Sequence, residues 1–258
     1  MILLLDIGNT HTHIGLADRR RVRRHFDLPT ATWFESGAVA RLRGGVGDTP
    51  IEGAALCSVV PRATPLARRA VKRLWRLDAI AVTPHNLPGV GINYAKPGTI
   101  GPDRLANAVA VRRRYGVPAI VIDFGTAVTF DVVDARGDYV GGIIAPGLSA
   151  MTHYLHEHTA LLPPLRIRET RRIIGRSTEE AMRIGAVRGY RGLVRELLRA
   201  LRRELGARRV AVVATGGYAR LMAAGLPEIQ AVDPLLTLEG VRLVWERCAG
   251  CRWRQSHE

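Results

Sequence analysis

Leu3-Leu4-Leu5-Asp6-Ile7-Gly8-Asn9-Thr10 returns more than a hundred residues later as Ile120-Val121-Ile122-Asp123-Phe124-Gly125-Thr126. In both places a short apolar run, readable as a buried strand, ends in an aspartate, a glycine and a threonine, and an alternating segment follows. Each copy predicts a hairpin with a polar turn. In the first, Thr12, Ile14 and Leu16 share one face of the second limb; in the second, residues 127–133 form a longer β-branched and aromatic run. Asp18-Arg19-Arg20 closes the first hairpin and Asp134-Ala135-Arg136-Gly137-Asp138 the second, after which residues 139–144 can add a third strand. Duplicated α/β half-domains are the simplest reading, one at residues 1–116 and the other at 117–258, with the boundary near Gly116-Val117-Pro118.

Such a turn suits a nucleotide. Glycine lets backbone amides approach phosphate oxygens, threonine supplies a hydroxyl donor, and aspartate can hold a metal ion directly or through water. One isolated copy would read as an ordinary hairpin turn, because Asp, Gly and Asn are common there. Two copies on matching strands favour the functional reading.

Of 38 basic residues only Lys72 and Lys96 are lysines, so the net charge of +15 is almost entirely arginine. An arginine excess draws in phosphate, whether of nucleic acid or of small anionic substrates. These arginines form no tail or arm; they recur along helices, as at Arg195, Arg199, Arg202 and Arg203, in the manner of a solvated face. No run approaches the ~20 apolar residues that cross a bilayer, and the first five residues do not resemble a signal peptide. A cytoplasmic protein with neither membrane nor nucleic-acid partner is expected. Cys57, Cys248 and Cys251 cannot form a disulfide framework, and Cys248 and Cys251, which have the spacing of half a zinc site but no second pair and only His257 near, read as part of a harmless C-terminus.

Between the hairpins, residues 54–60 predict a strand, 63–76 an amphipathic helix and 79–82 another strand. Residues 84–102, rich in Pro, Gly and Asn, form an unusually long irregular segment that delivers the chain to a helix at 103–115, with Pro102 in its first turn. A helix is expected at 148–161. Ser177 and Glu180 have capping-box spacing and open a long helix whose Leu193, Leu197, Leu201 and Leu205 read as the core stripe. Residues 210–214 predict a last strand, running into Thr215-Gly216-Gly217, a strand-to-helix turn of the kind that sets amides beside a nucleotide.

Asp6-Ile7-Gly8-Asn9-Thr10, Ser58-Val59-Val60-Pro61, Gly101-Pro102-Asp103-Arg104, Asp123-Phe124-Gly125-Thr126, residues 142–148, Thr159-Ala160-Leu161-Leu162-Pro163, Gly175-Arg176-Ser177-Thr178 and Thr215-Gly216-Gly217 occur in this order. The ordered set, covering nearly the whole chain, resembles the type III pantothenate kinases. The resemblance implies two ribonuclease-H-like halves of the actin-like ATPase superfamily, with mixed sheets and a cleft between them. It implies ATP-dependent phosphorylation of pantothenate to 4'-phosphopantothenate, the first step of coenzyme A synthesis. Mg²⁺, a monovalent cation (K⁺ or NH₄⁺) and a homodimer come with it.

By position, the resemblance makes Asp6, Ile7, Gly8, Asn9, Thr10, His11, Thr12 and His13 the first phosphate loop, with Asp6 on Mg²⁺ directly or through water. Thr126 would meet ATP and Asp123 would hold the K⁺. Tyr94, Gly101, Pro102, Asp103, Arg104 and Thr178 would line the pantothenate pocket, with Asp103 as base. A carboxylate in the first turn of a helix is held charged by the dipole, which predicts a weak base that mainly orients the hydroxyl. Arg104 can serve the substrate carboxylate or the moving phosphoryl group. The loop offers His11 and His13 and leaves the cationic partner of the γ-phosphate unassigned. His153, His156 and Glu157 have helical spacing but fall where the family has no metal ligands. Two other readings stay open: a non-catalytic regulatory relative of the same fold that binds DNA or a protein partner, and a kinase for another hydroxyl acceptor such as a sugar.

Overall fold

The computed structural model describes residues 1–255, with side chains described through Gly250. Packing gathers them into two compact units, one of Met1–Arg114 with Gly137–Tyr139 and the chain from Leu235 onward, the other of Tyr115–Arg136 with Val140–Pro234.

In the first unit the chain runs β1 (Ile2–Ile7), β2 (His11–Ala17), β3 (Val22–Pro29), a 3-10 turn Thr30–Phe34, α1 (Ala38–Val46), β4 (Gly53–Ser58), α2 (Thr64–Trp75), β5 (Ile80–Ala81), β6 (Gly91–Ile92) and α3 (Pro102–Tyr115). The sheet order is β3-β2-β1-β4-β5, with β1 antiparallel to β2 and parallel to β4. Every residue of β1 is buried except Asp6, which is partly so, as befits a strand covered on both faces. Leu3, Leu5, Ile7, Ile14 and Leu16 pack with Trp33, Leu42 and Val46 into one core.

The second unit runs β7 (Ala119–Phe124), β8 (Ala127–Val133), β9 (Asp138–Pro146), α4 (Leu148–Glu157), α5 (Thr178–Ile184), a π-helical turn Gly185–Gly189, α6 (Tyr190–Leu205), β10 (Ala211–Thr215), α7 (Ala219–Ala223) and β11 (Ala231–Val232). Its strands follow the order β9-β8-β7-β10-β11, which is the order of the first sheet. The registers match too. Asp6 lies opposite His13 on β2 and Cys57 on β4; Asp123 lies opposite Thr129 on β8 and Thr215 on β10. The duplicated α/β architecture read from the two hairpins is therefore present down to the pairing of the aspartates.

The last helix, α8 (Leu236–Gln255), belongs to the first unit although it follows the second in sequence. It approaches α3 closely: a Cβ on Gly240 would overlap the Ala106 carbonyl, and Thr237 Oγ1 donates to Asn107 Oδ1 at 2.8 Å. Arg242 and Glu239 form a buried ion pair at 2.7 Å, and Glu239 also accepts from the Val22 amide at 2.8 Å, so the pair is hydrogen-bonded as a buried charge must be. The expected division at residue 116 follows chain order; the compact units follow packing.

Three local expectations change. Residues 193, 197, 201 and 205 only flank the core of the second unit; the fully buried stripe of this helical stretch is Val187, Tyr190, Val194 and Leu198. The helix expected to reach residue 161 stops at Glu157, because the Thr159 hydroxyl takes the Leu155 carbonyl at 2.7 Å and His156 Nδ1 engages the Leu162 carbonyl at 2.9 Å. β3, rich in exposed Arg and His, was not foreseen: it pairs along the whole of β2, an edge strand whose charged side chains hide its strand character.

Candidate active site

Asp6 stands at the end of β1, and in the first unit the strand register brings Cys57 beside it. The Cys57 thiol donates to Asp6 Oδ1 at 3.3 Å. Burial raises the Asp6 carboxyl to about 6, with the charges of Asp103 and Asp27 adding to it and His13 and the thiol opposing it. Cys57 is pushed well above the ordinary thiol range by burial and by the two carboxylates, so it stays a neutral donor.

Asp103 occupies the first turn of α3. Its Oδ1 accepts from the Arg104 amide at 2.8 Å, and Gly101 leaves it room, since a Cβ there would lie 2.5 Å from that oxygen. Its pKa is raised. Burial outweighs the Arg104 charge and the backbone donors, which reverses the expectation that the helix terminus would weaken this carboxylate as a base.

The first hairpin turn is closed by Gly8 N–H donating to the His11 carbonyl at 3.0 Å, and it is tied to the chain after β3 by Thr30, whose hydroxyl donates to the Gly8 carbonyl at 2.7 Å and whose amide donates to the Thr10 carbonyl at 2.9 Å. Asn9, Thr10 and His11 are exposed. Ile7 is core, and Thr12 is buried with its hydroxyl between Thr30 Oγ1 (3.1 Å) and Trp33 Nε1 (2.9 Å), so neither offers a side chain to a ligand. His13 Nδ1 meets Asp27 Oδ1 at 2.7 Å.

Farther along the same unit, Tyr94 is exposed and meets the ring of Tyr139 edge-on, with centroids 6.1 Å apart, and the Arg104 guanidinium lies over that ring at 5.7 Å. Tyr139 was read from sequence only as a strand residue. Its neighbourhood depends on a short parallel ladder, Gly91 to Asp138 and Ile92 to Tyr139, between segments nearly fifty residues apart, for which sequence carries no local sign.

In the second unit Asp123 ends β7, and the turn after β10 closes on it. Gly216 has φ +87°; a Cβ there would overlap the Asp123 carboxylate and stand 2.7 Å from the Phe124 backbone. Gly147 packs in the same way on the carbonyls of Gly125 and Thr126. Thr126 is exposed and lines a cavity of about 470 Å³ with Ser149, Thr152, His153, His156 and Tyr218. Thr178 is the exposed first residue of α5, whose cap is Ser177, accepting from the Glu180 amide at 3.2 Å.

Among the described residues no group of three or more His, Cys, Asp or Glu could form a protein-only metal cage. Mg²⁺ at phosphoryl-transfer sites is held instead by one or two carboxylates together with phosphates and water. Asp6, a hard oxygen donor whose charge is disfavoured by burial and by Asp103, fits that requirement. His153 pairs with Glu157 at 3.2 Å on the surface of α4. Cys248 is a partly exposed free thiol; the side chain of Cys251, and His257, lie outside the described residues.

The family model described as type III pantothenate kinase matches residues 2–200. A type III pantothenate kinase of Methylacidiphilum infernorum is 45% identical over 249 residues, covering 95% of this chain and 88% of the relative. Another, of Akkermansia muciniphila, is 47% identical over 244 residues, covering 93% and 96%. Among solved structures, a putative Baf family transcriptional activator from Campylobacter jejuni aligns with TM-score 0.62 at 17% identity, covering 96% of this chain and 99% of the other. An activator of 2-hydroxyisocaproyl-CoA dehydratase from Clostridium difficile with bound ADPNP aligns at 0.56 and 14%, covering 98% and 97%. At these identities the two structures speak for the fold alone.

Proposed function

The chain belongs to the type III pantothenate kinase family, and on that premise we propose how its own residues work. The reaction transfers the γ-phosphoryl group of ATP to pantothenate on the way to coenzyme A. The observation that carries the residue assignment is the Asp6 carboxyl at the end of β1, hydrogen-bonded by the Cys57 thiol at 3.3 Å and raised chiefly by burial, with the charge of Asp103 adding to the rise.

Asp103 accepts the proton of the pantothenate hydroxyl as that oxygen attacks the γ-phosphorus, and its raised pKa makes it a better acceptor than an ordinary aspartate. The loose transition state asks chiefly for alignment, which this hydrogen bond supplies. The turn that Gly8 closes presents the amides of Asn9 and Thr10 to phosphate oxygens, Thr126 meets ATP in the second unit, and Asp6 holds Mg²⁺. Bound Mg²⁺ neutralises phosphate charge. Tyr94, Gly101, Pro102 and Arg104 of the first unit take pantothenate, with the Arg104 fork on the substrate carboxylate, and Thr178 is assigned to the same substrate by its motif alone. Asp123, which stands in the second unit where Asp6 stands in the first, holds a monovalent cation.

The active form is a homodimer. Met151, Tyr154 and Leu155 form an exposed apolar face of α4, and Ile144, Ile173 and Ile174 are exposed in the same unit, which supports an apolar self-contact. Use of ATP for coenzyme A synthesis supports a cytoplasmic location; no described helix is long and apolar enough to cross a membrane.

Product analysis tests this reading. With ATP, Mg²⁺ and K⁺, a phosphate monoester forms from pantothenate and not from hexoses, and Na⁺ in place of K⁺ lowers the rate severalfold. Phosphorylation of a hexose alone would replace the acceptor, and equal rates in Na⁺ would remove the cation role of Asp123.

A further inference from the structure

Tyr139 is fully buried, yet its ring is not surrounded by aliphatic core alone: the Arg104 guanidinium lies over it at 5.7 Å and Tyr94 meets it edge-on at 6.1 Å. Both are geometries in which the electron-rich face of an aromatic ring attracts a positive partner or a ring edge. The segment that carries the ring is held by a backbone ladder and by a side chain. Ile92 pairs with Tyr139, the Asn93 amide donates to the Tyr139 carbonyl at 2.9 Å, and Arg112 Nη1 donates to the Gly137 carbonyl at 2.9 Å. Gly91 and Gly137 make the approach possible, because a Cβ on either would overlap the Asp138 carboxylate or the Arg112 guanidinium. One short ladder thus sets Tyr139 and, two residues beyond Ile92, Tyr94.

We propose that Tyr139 is a positioning residue for substrate capture: its ring holds the Arg104 guanidinium in the arrangement that receives pantothenate. The inference rests on the assignment of Arg104 to the pantothenate pocket. A long, flexible arginine loses several rotatable bonds when it binds a carboxylate, and a ring that already holds the guanidinium removes part of that cost.

The test replaces Tyr139 with phenylalanine and then with phenylalanines carrying one, two and three ring fluorines, which drain the ring face of negative charge at nearly constant shape. Phe keeps the KM for pantothenate within about twofold of the natural residue. Across the fluorinated series that KM climbs stepwise, about fivefold in all, as expected for a partly buried cation–π contact, while kcat and the KM for ATP hold. In an Arg104→Gln background the slope disappears, because the two changes act through one contact. A flat series, a slope that survives in Arg104→Gln, or an equal rise in the KM for ATP would overturn the proposal. Failure of the underlying reading looks different: the unsubstituted protein would show no pantothenate-dependent turnover, or Arg104→Gln would leave the KM for pantothenate unchanged.

Discussion

At Asp6 and Asp103 the first unit keeps two carboxylates whose charged forms are disfavoured by burial and, for Asp6, by the other's charge. Such a pair is tolerated where it does chemistry. The sign of the pH dependence follows. Burial pushes the Asp6 carboxyl up to about 6 in the folded chain from the ordinary 3.8, so the stability linked to its proton is full below the lower value and is lost as pH rises through about 6. Metal binding needs the opposite form. Turnover therefore falls as pH drops through about 6 at low Mg²⁺, and more Mg²⁺ moves that acid limb to lower pH by competition with the proton. An acid limb insensitive to Mg²⁺ would separate Asp6 from the metal. Asp103→Asn is expected to lose roughly a hundredfold or more in kcat with a melting temperature no lower than that of the unsubstituted protein; near-normal kcat would remove its role. At this scale Asp6, Asp103 and Arg104 stood out in the sequence through their motifs. The raised pKa of Asp103 did not, because burial depends on what α3 packs against. Cys57 and Tyr139 were hidden for the same reason, one visible only through β1–β4 register and the other only through the β6–β9 ladder.

Among the elements, both hairpins were readable because apolar runs of period-two or continuous type end in turn residues with local meaning. The core stripe of α6 was not, since leucines spaced four apart drift around the helix and Val194 and Leu198 are as apolar as their neighbours. The turn after β10 gives an element-scale test. Gly216 has φ +87° and faces the Asp123 carboxylate and the Phe124 backbone, so Gly216→Ala combines a strained conformation with an overlap. A loss of about 1–3 kcal/mol in thermal or denaturant unfolding is expected, together with a raised KM for ATP. Unchanged stability would mean that the turn relaxes without cost and that the glycine has no packing role. Gly217, which meets no atom within 4 Å of a built Cβ, is the matched control for stability.

For the whole molecule, the duplication was legible and the allocation of the C-terminal helix was not. α8 joins the first unit through Gly240 against Ala106, Thr237 on Asn107 and Glu239 on the Val22 amide, contacts between segments more than a hundred residues apart. The arginine excess resolves in part into such structural work: Arg191, Arg195 and Arg242 are each paired with a carboxylate. Sedimentation should show a dimer, and Tyr154→Glu on the exposed face of α4 should shift it to monomer; a monomeric unsubstituted protein would contradict the assembly. The claim on which the rest depends is that this chain spends ATP on pantothenate. Release of ADP by the purified protein with ATP, Mg²⁺ and K⁺ should be at background without pantothenate and rise to a saturating rate as pantothenate is added, whereas ADP release that ignores pantothenate, or none in its presence, would contradict the account.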